Sequence, residues 1–310
     1  MSPIILGILE EGLVYAILSL GVYITYKVLD FPDLSVDGTF PLGGAVTVTL
    51  ISLGANPLIT LPVSFLAGAA AGVITGIIHV RFKVRDLLSG IIVMTALYSV
   101  NLRIAGRSNV AVYNKPSIFE NDFLAGFLPP EIMRYSAVLI LLLIAVVMKV
   151  LLDLYLKTRS GYLLRAVGDN DVLVTSLAKN KGIVKIVGLA IANGFAALAG
   201  CVYAQKNGFF ELSTGTGAIV IGLANVIIGI NLFKRFGAVK GTTAVIAGSI
   251  IYKACVSAAI GLGLVASDLK LITALFLFII LALSGGRKRR VKRHARTVTH
   301  PQILQCRHGQ

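Results

Sequence analysis

From Gly38 to Val80 the chain carries no charged residue. A stretch of that length cannot coat a water-soluble globule, and at about 20 residues per crossing it is enough for two passes through a bilayer. The Asn56-Pro57 pair is the natural break between them. Composition agrees, with 56% hydrophobic and only 14% charged residues, against about 25% charged in an ordinary soluble domain. Mean hydropathy is +0.86. Further apolar segments read as 4–26, 86–105, 135–153, 184–204, 213–232, 239–262 and 267–284, with room for a short or re-entrant helix in the glycine-rich 213–250 region. Without water in the bilayer core each segment has to satisfy its own backbone polar groups, which selects helices. The expected fold is an all-α integral membrane bundle of about nine transmembrane helices over 1–286, followed by a basic tail over 287–310.

Charge gives the chain a direction. The 29 Lys and Arg against 14 Asp and Glu leave a formal charge of +15. The basic residues gather in four places: Arg81, Lys83 and Arg85; Lys157, Arg159, Arg165, Lys179, Lys181 and Lys185; Lys234 and Arg235; and the tail between Arg287 and Arg307. The span order puts all four on one side, and the positive-inside rule makes that side cytoplasmic. The N-terminus is then outside, the 106–134 loop external and the C-terminus inside. The tail suits an anionic leaflet better than nucleic acid. Its last part, 297–310, lacks apolar periodicity and is expected to stay disordered. Glu10 and Glu11 interrupt the first apolar stretch, and no positive charge precedes it, so a cleaved signal peptide is not expected.

No enzymatic chemistry is legible. Cys201, Cys255 and Cys306 have no metal or redox spacing, and the four His do not cluster with acids. There is no GxSxG turn and no Walker A loop; Gly215-Thr216-Gly217 lacks the following Lys. The expectation is no catalytic residue, no metal and no cofactor, with any energy taken from an ion gradient or another subunit. Gly68, Gly72 and Gly76 repeat on one helix face and predict a close helix–helix contact.

Polar groups inside apolar segments are expensive and therefore candidates. Asp30, Asp33 and Asp37 surround Pro32, which disfavours a continuous helix, so the start of the second helix is expected to be broken. Thr95 and Asn101, Asn193 and Asn225 are either path residues or interhelical hydrogen bonds, and Glu211 is either a path residue or an external loop carboxylate. The substrate-pathway set is Asp33, Ser35, Asp37, Thr95, Asn193 and Glu211.

The 153–185 stretch reads DLYLKTRSGYLLRAVGDNDVLVTSLAKNKGIVK. It is basic and partly amphipathic, with Val172, Leu173, Leu177 and Ala178 forming an apolar face at helical spacing. A short helix of this kind suits docking into a groove on a partner. Lys157-Thr158, Gly161, Arg165-Ala166, Gly168, Asn170, Ala178 and Gly182-Ile183 resemble the coupling-helix loop of ABC importer permeases of the ribose and branched-chain amino acid type. Asp33-Leu34-Ser35-Val36 with Gly38 and Gly43-Gly44-Ala45 is similar to that family's irregular helix beside the translocation path, and Gly215 to Gly241 to its glycine-rich stretch.

The resemblance implies a permease subunit in a bacterial plasma membrane, paired with a second permease copy. It implies a cytoplasmic ATP-binding subunit docked on Gly161, Arg165, Ala166, Gly168, Asn170 and Leu173, and an extracytoplasmic solute-binding protein that delivers cargo. Asp37, the Gly229–Arg235 run and a start one helix later depart from the ribose type and point to an amino acid. The alternative is a stand-alone secondary transporter or channel with Asp30, Asp33 and Asp37 as an ion or proton relay.

Overall fold

The computed structural model describes residues 3–119, 135–169, 180–234 and 239–261, together with helical positions at 271, 273–275 and 278. Helix α1 (Pro3–Tyr23) runs into a π-helical turn, Ile24–Val28, and the chain then unwinds through 29–35. Asp30 takes a left-handed φ of +52° there. The expected break thus lies before α2 (Val36–Ser52), which carries Pro41 inside it.

Helix α3 (Pro57–Arg81) starts where the Asn56-Pro57 pair predicts. The Asn56 side chain accepts from Leu58 N at 2.9 Å, and Pro57, which has no N–H to satisfy, fills the first helical position. There follow α4 (Asp86–Ala105), strand β1 (Asn109–Ala111), α5 (Ser136–Tyr155), α6 (Arg159–Asp169), α7 (Lys181–Asn207), strand β2 (Phe209–Glu211), a 3-10 turn (Leu212–Gly215), α8 (Ala218–Phe233) and α9 (Gly241–Gly261).

Among the described residues seven helices are long and apolar enough to cross a membrane, namely Pro3–Val28, Pro57–Arg81, Asp86–Ala105, Ser136–Tyr155, Lys181–Asn207, Leu212–Phe233 and Gly241–Gly261. The shorter α2, at 17 residues, occupies the remaining half of the uncharged 38–80 stretch. The expected ninth segment, 267–284, and the basic tail lie outside the described residues apart from the positions given above. The chain is mostly helical, and one short ribbon joins its helices. Strands β1 and β2 pair antiparallel, Asn109 with Glu211, Val110 with Phe210 and Ala111 with Phe209. Both are short connections between spans, and pairing satisfies backbone groups that no helix can take.

Helix α7 is the centre of the bundle. It packs on α3, α2 and α1, while α1 also meets α9, α8 and α5. Small residues set these distances. A Cβ on Gly68 or Gly72 would collide with the backbone of Asn193 or Leu189, and one on Gly76 would lie 2.9 Å from Ile186 Cα. The glycine stripe of α3 therefore seats α7 within the same chain. Gly43 and Gly200 do the same for α2 and α7, where a Cβ on either would overlap a carbonyl of the other helix.

The bundle has two distinct ends. At the ribbon end Glu10 pairs with Lys206 at 3.1 Å and Glu11 with Lys253 at 2.8 Å. At the opposite, basic end Asp153 gathers Lys149 at 3.2 Å, Lys240 at 3.5 Å and the Thr242 hydroxyl at 2.7 Å.

Candidate functional site

The irregular 29–35 segment sends Asp33, within it, and Asp37, just after it, to different places. Asp33 is fully buried. Its Oδ1 accepts from Ser35 N at 2.9 Å and Ser35 Oγ at 2.6 Å, and its Oδ2 accepts from Asn193 Nδ2 at 2.7 Å. Asn193 Oδ1 in turn accepts from Thr39 Oγ1 at 2.7 Å. Every member is buried, and the group ties the start of α2 to the middle of α7. In a low-dielectric interior such a network holds only when its members are satisfied, and a half-made one destabilises.

Asp37, one turn further on, reaches another helix. Its Oδ2 accepts from Gly217 N at 3.0 Å and its Oδ1 from Ile219 N at 2.8 Å. These are N–H groups at the opening of α8, which has no side-chain cap of its own. Helix starts leave such donors unsatisfied and carry partial positive charge, so a carboxylate from α2 caps α8 in trans. Gly217 supports this with a φ of +88°, a conformation that favours glycine.

Beside Asp37 lies a cavity of about 710 Å³. Asp37, Gly38 and Pro41 of α2 form one wall, and Met94, Thr95, Tyr98 and Asn101 of α4 a second. The rest comes from Ser108 and Asn109 at β1 and from Glu211, Leu212, Ser213 and Thr216 around β2 and the 3-10 turn. The cavity thus runs from the start of α2 to the ribbon. Asn101 donates Nδ2 to Gly38 O at 2.9 Å, while its buried Oδ1 has no partner among the described residues. Glu211 accepts from the Ser213 hydroxyl.

Of the six expected pathway residues, Asp37, Thr95 and Glu211 line this cavity, and Asp33, Ser35 and Asn193 form the buried network beneath it. Tyr98 is a cavity residue that the sequence reading leaves out, and Asn101, a candidate outside the set of six, both lines the cavity and bonds across to α2. Met94, Tyr98 and Asn101 stand three and four residues apart, one face of α4, and that periodicity is the signal that finds them. Asn225, by contrast, is interhelical: its Nδ2 donates to Ser19 Oγ at 2.9 Å, across α8 and α1.

At the basic end α6 carries four of the expected coupling residues. Gly161, Leu164 and Val167 are buried. A Cβ on Gly168 would overlap the Val28 carbonyl in the π turn, and Leu164 packs on Gly188 of α7. Arg165 and Tyr162 point outward, and Ala166 is half-buried. Asn170 and Leu173, together with the 172–178 apolar face, lie outside the described residues.

The family model for the branched-chain amino acid transport system permease component matches residues 4–283. The chain belongs to this permease family. A tyrosine transport system permease protein of Clostridioides difficile is 42% identical over 97% of both chains. A ribose import permease of Escherichia coli is 24% identical over 72% of this chain and 68% of its own. A probable branched-chain amino acid transport permease of Methanocaldococcus jannaschii is 25% identical over 69% of this chain and 70% of its own. No solved structure matches. The chain is thus the multi-pass membrane permease component of a transport system, not an enzyme. The resemblance seen in its motifs extends along nearly its whole length.

Proposed function

We propose that this permease is the membrane subunit of a bacterial ABC importer for an amino acid, with the ribbon end facing outward and the basic end in the cytoplasm. An extracytoplasmic binding protein delivers the solute at the ribbon end. A separate ATP-binding subunit docks at the basic end on the outward face of α6, at Tyr162 and Arg165, continuing into Asn170 and Leu173. A second permease copy completes the pore, and the basic tail holds the C-terminus to anionic lipid. No cofactor is bound by the permease itself.

The observation that carries this reading is the short link between the docking helix and the cavity. Helix α6 rests through Gly168 on the Val28 carbonyl of the π turn and through Leu164 near Leu29. From there the chain passes through 29–35 to Asp37 in the cavity wall. A push on α6 therefore bears on an irregular segment that ends at the solute space, with no rigid helix interposed. The amino acid assignment draws support from the relative named for tyrosine transport and from the acids of the cavity.

Uptake of labelled tyrosine by cells with and without Arg165→Glu tests the reading. Charge reversal on the exposed face should lower uptake and co-purification of the ATP-binding subunit at unchanged permease level. Full uptake and a normal complex with that variant would overturn the docking.

A further inference from the structure

The cavity between α2, α4 and the ribbon has an unusual polar lining for a chain of charge +15. Two carboxylates, Asp37 and Glu211, face it, and among the described residues no Lys, Arg or His lines it. Asn101 adds an independent sign. It is fully buried, its Nδ2 is engaged by Gly38 O, and its Oδ1 is a buried acceptor that no donor among the described residues reaches. A buried acceptor left unpaired is destabilising by about 1–3 kcal/mol. Asn101 lines the cavity wall with this oxygen covered, so a shift of its side chain would open the acceptor to a donor arriving from the cavity.

The neighbouring acceptors have capacity as well. A carboxylate offers about four lone-pair sites, and Asp37 uses two of them on α8. Among the described residues no cationic donor meets these acceptors. Beside these acceptors stand Met94, Tyr98 and Leu212, an apolar and aromatic surface.

We propose that this cavity is a recognition site for the ammonium group of the solute, with the Asn101 Oδ1 as its neutral acceptor and Asp37 and Glu211 as its counter-charges. The ammonium has three donors and no acceptor, which matches a lining with an unpaired acceptor and carboxylates. The apolar side of the cavity receives the solute's side chain. Sugars and anionic solutes are disfavoured: a sugar brings no charge to set against two carboxylates, and an anion is repelled by them. This rests on the amino acid reading above and narrows it to one feature, the amine.

A thiol reporter separates this site from the importer as a whole. Ser108 is exposed and lines the cavity. Ser108→Cys is placed in a chain whose exposed Cys255 and C-terminal Cys306 are replaced by Ser, with the buried Cys201 kept. Unsealed membranes are labelled with a trimethylammonium methanethiosulfonate and with its sulfonate counterpart, so that neither sidedness nor a partner subunit matters. Rates are taken relative to the same pair of reagents acting on 2-mercaptoethanol in solution, which corrects for the faster attack of any anionic thiolate on the cation. On that scale the cationic reagent should be favoured by about a further tenfold, the focusing expected in a cleft lined by one sign of charge.

Glu211→Gln should cut that normalised ratio by about threefold, and Glu211→Gln with Asp37→Asn should bring it close to the free-thiol value. Glu211 sits on the ribbon and its carboxylate accepts from Ser213 rather than from the α8 start, so its variant does not depend on how Asp37→Asn folds. Millimolar tyramine and L-tyrosine should slow labelling, while 3-(4-hydroxyphenyl)propionate, which lacks only the amine, should not. Asn101→Leu should abolish protection by tyramine and leave the charge preference in place. A rate ratio no higher than that of the free thiol, or equal protection by the amine-free analogue, would overturn the proposal.

Uptake distinguishes the two readings. Charge-indifferent labelling in cells that lose tyrosine uptake on deletion of the gene removes the site and leaves the importer. Amine-dependent protection in cells whose uptake survives deletion leaves the site and removes that importer assignment.

Discussion

Asp33 and Asp37 are one helical turn apart, chemically identical, and held in opposite ways. Asp33 is enclosed by side chains of its own segment and α7, with its oxygens engaged by Ser35 and Asn193. Asp37 takes backbone donors at the start of α8 and borders a cavity. The first arrangement joins two helices where a free carboxylate would be prohibitive. The second leaves a carboxylate beside the cavity and lets it stabilise a helix start at the same time. An acid inside a membrane segment is therefore not one kind of signal: its role follows from what completes its hydrogen bonds. This also weakens a relay through these aspartates, because Asp33 is locked among neutral partners and Asp30 is exposed beyond the break.

The contrast depends on α2 being pressed against α7, so the largest effect should come from separating them. Gly43→Val would overlap the Ala197 carbonyl, and the overpacking should be destabilising by about 3 kcal/mol or more. Size-exclusion chromatography of a fluorescent fusion should show loss of the monodisperse peak. Gly7→Val, where nothing stands within 4 Å, should leave the peak intact.

Next in size is Asn193→Leu. It removes the donor to Asp33 Oδ2, and a hydrogen bond to a buried charged group contributes about 1.5–3 kcal/mol. The thermal transition in detergent should fall clearly. An unchanged transition would show that the carboxylate finds another partner, and the division between the two acids would blur.

Asp37→Ala should separate stability from transport. Losing a helix cap costs about 1 kcal/mol, so the transition should move less than for Asn193→Leu. Labelled tyrosine uptake, corrected for protein level, should nonetheless drop more sharply than the stability change accounts for. If uptake merely tracks stability, Asp37 is a cap and nothing more.

The smallest effect belongs to Thr95→Val. Its hydroxyl is satisfied within α4 by Ile91 O at 2.8 Å, so stability should stay within about 0.5 kcal/mol. A change in the KM for uptake of about twofold corresponds to the same modest energy. A large change would promote Thr95 to a direct solute contact.

Much of this protein is legible in the order of its residues. The uncharged 38–80 run, the Asn56-Pro57 break and the polar 29–37 stretch mark α2, α3 and the irregular segment before them, because helix signals of this kind are local. The ribbon was not legible: Asn109–Ala111 and Phe209–Glu211 are far apart in sequence and too short to carry a strand pattern. The glycine stripe of α3 announced a close contact but not its partner, which turned out to be α7 of the same chain.

The candidate site divides in the same way. Cost alone marks Asp33, Ser35, Asp37, Thr95, Asn193 and Glu211, since each is a polar group in or beside an apolar segment. Sequence by itself determined that the chain lives in lipid, which segments are helical and which polar residues have to be explained, because hydropathy and backbone satisfaction act over one span at a time. Only the tertiary structure decided that Asn193 completes Asp33, that Asp37 caps α8 and that Asn101 stands in the wall of the cavity that Glu211 also lines. Those pairings join residues from separate helices, and their geometry is set by which small residues let the helices approach.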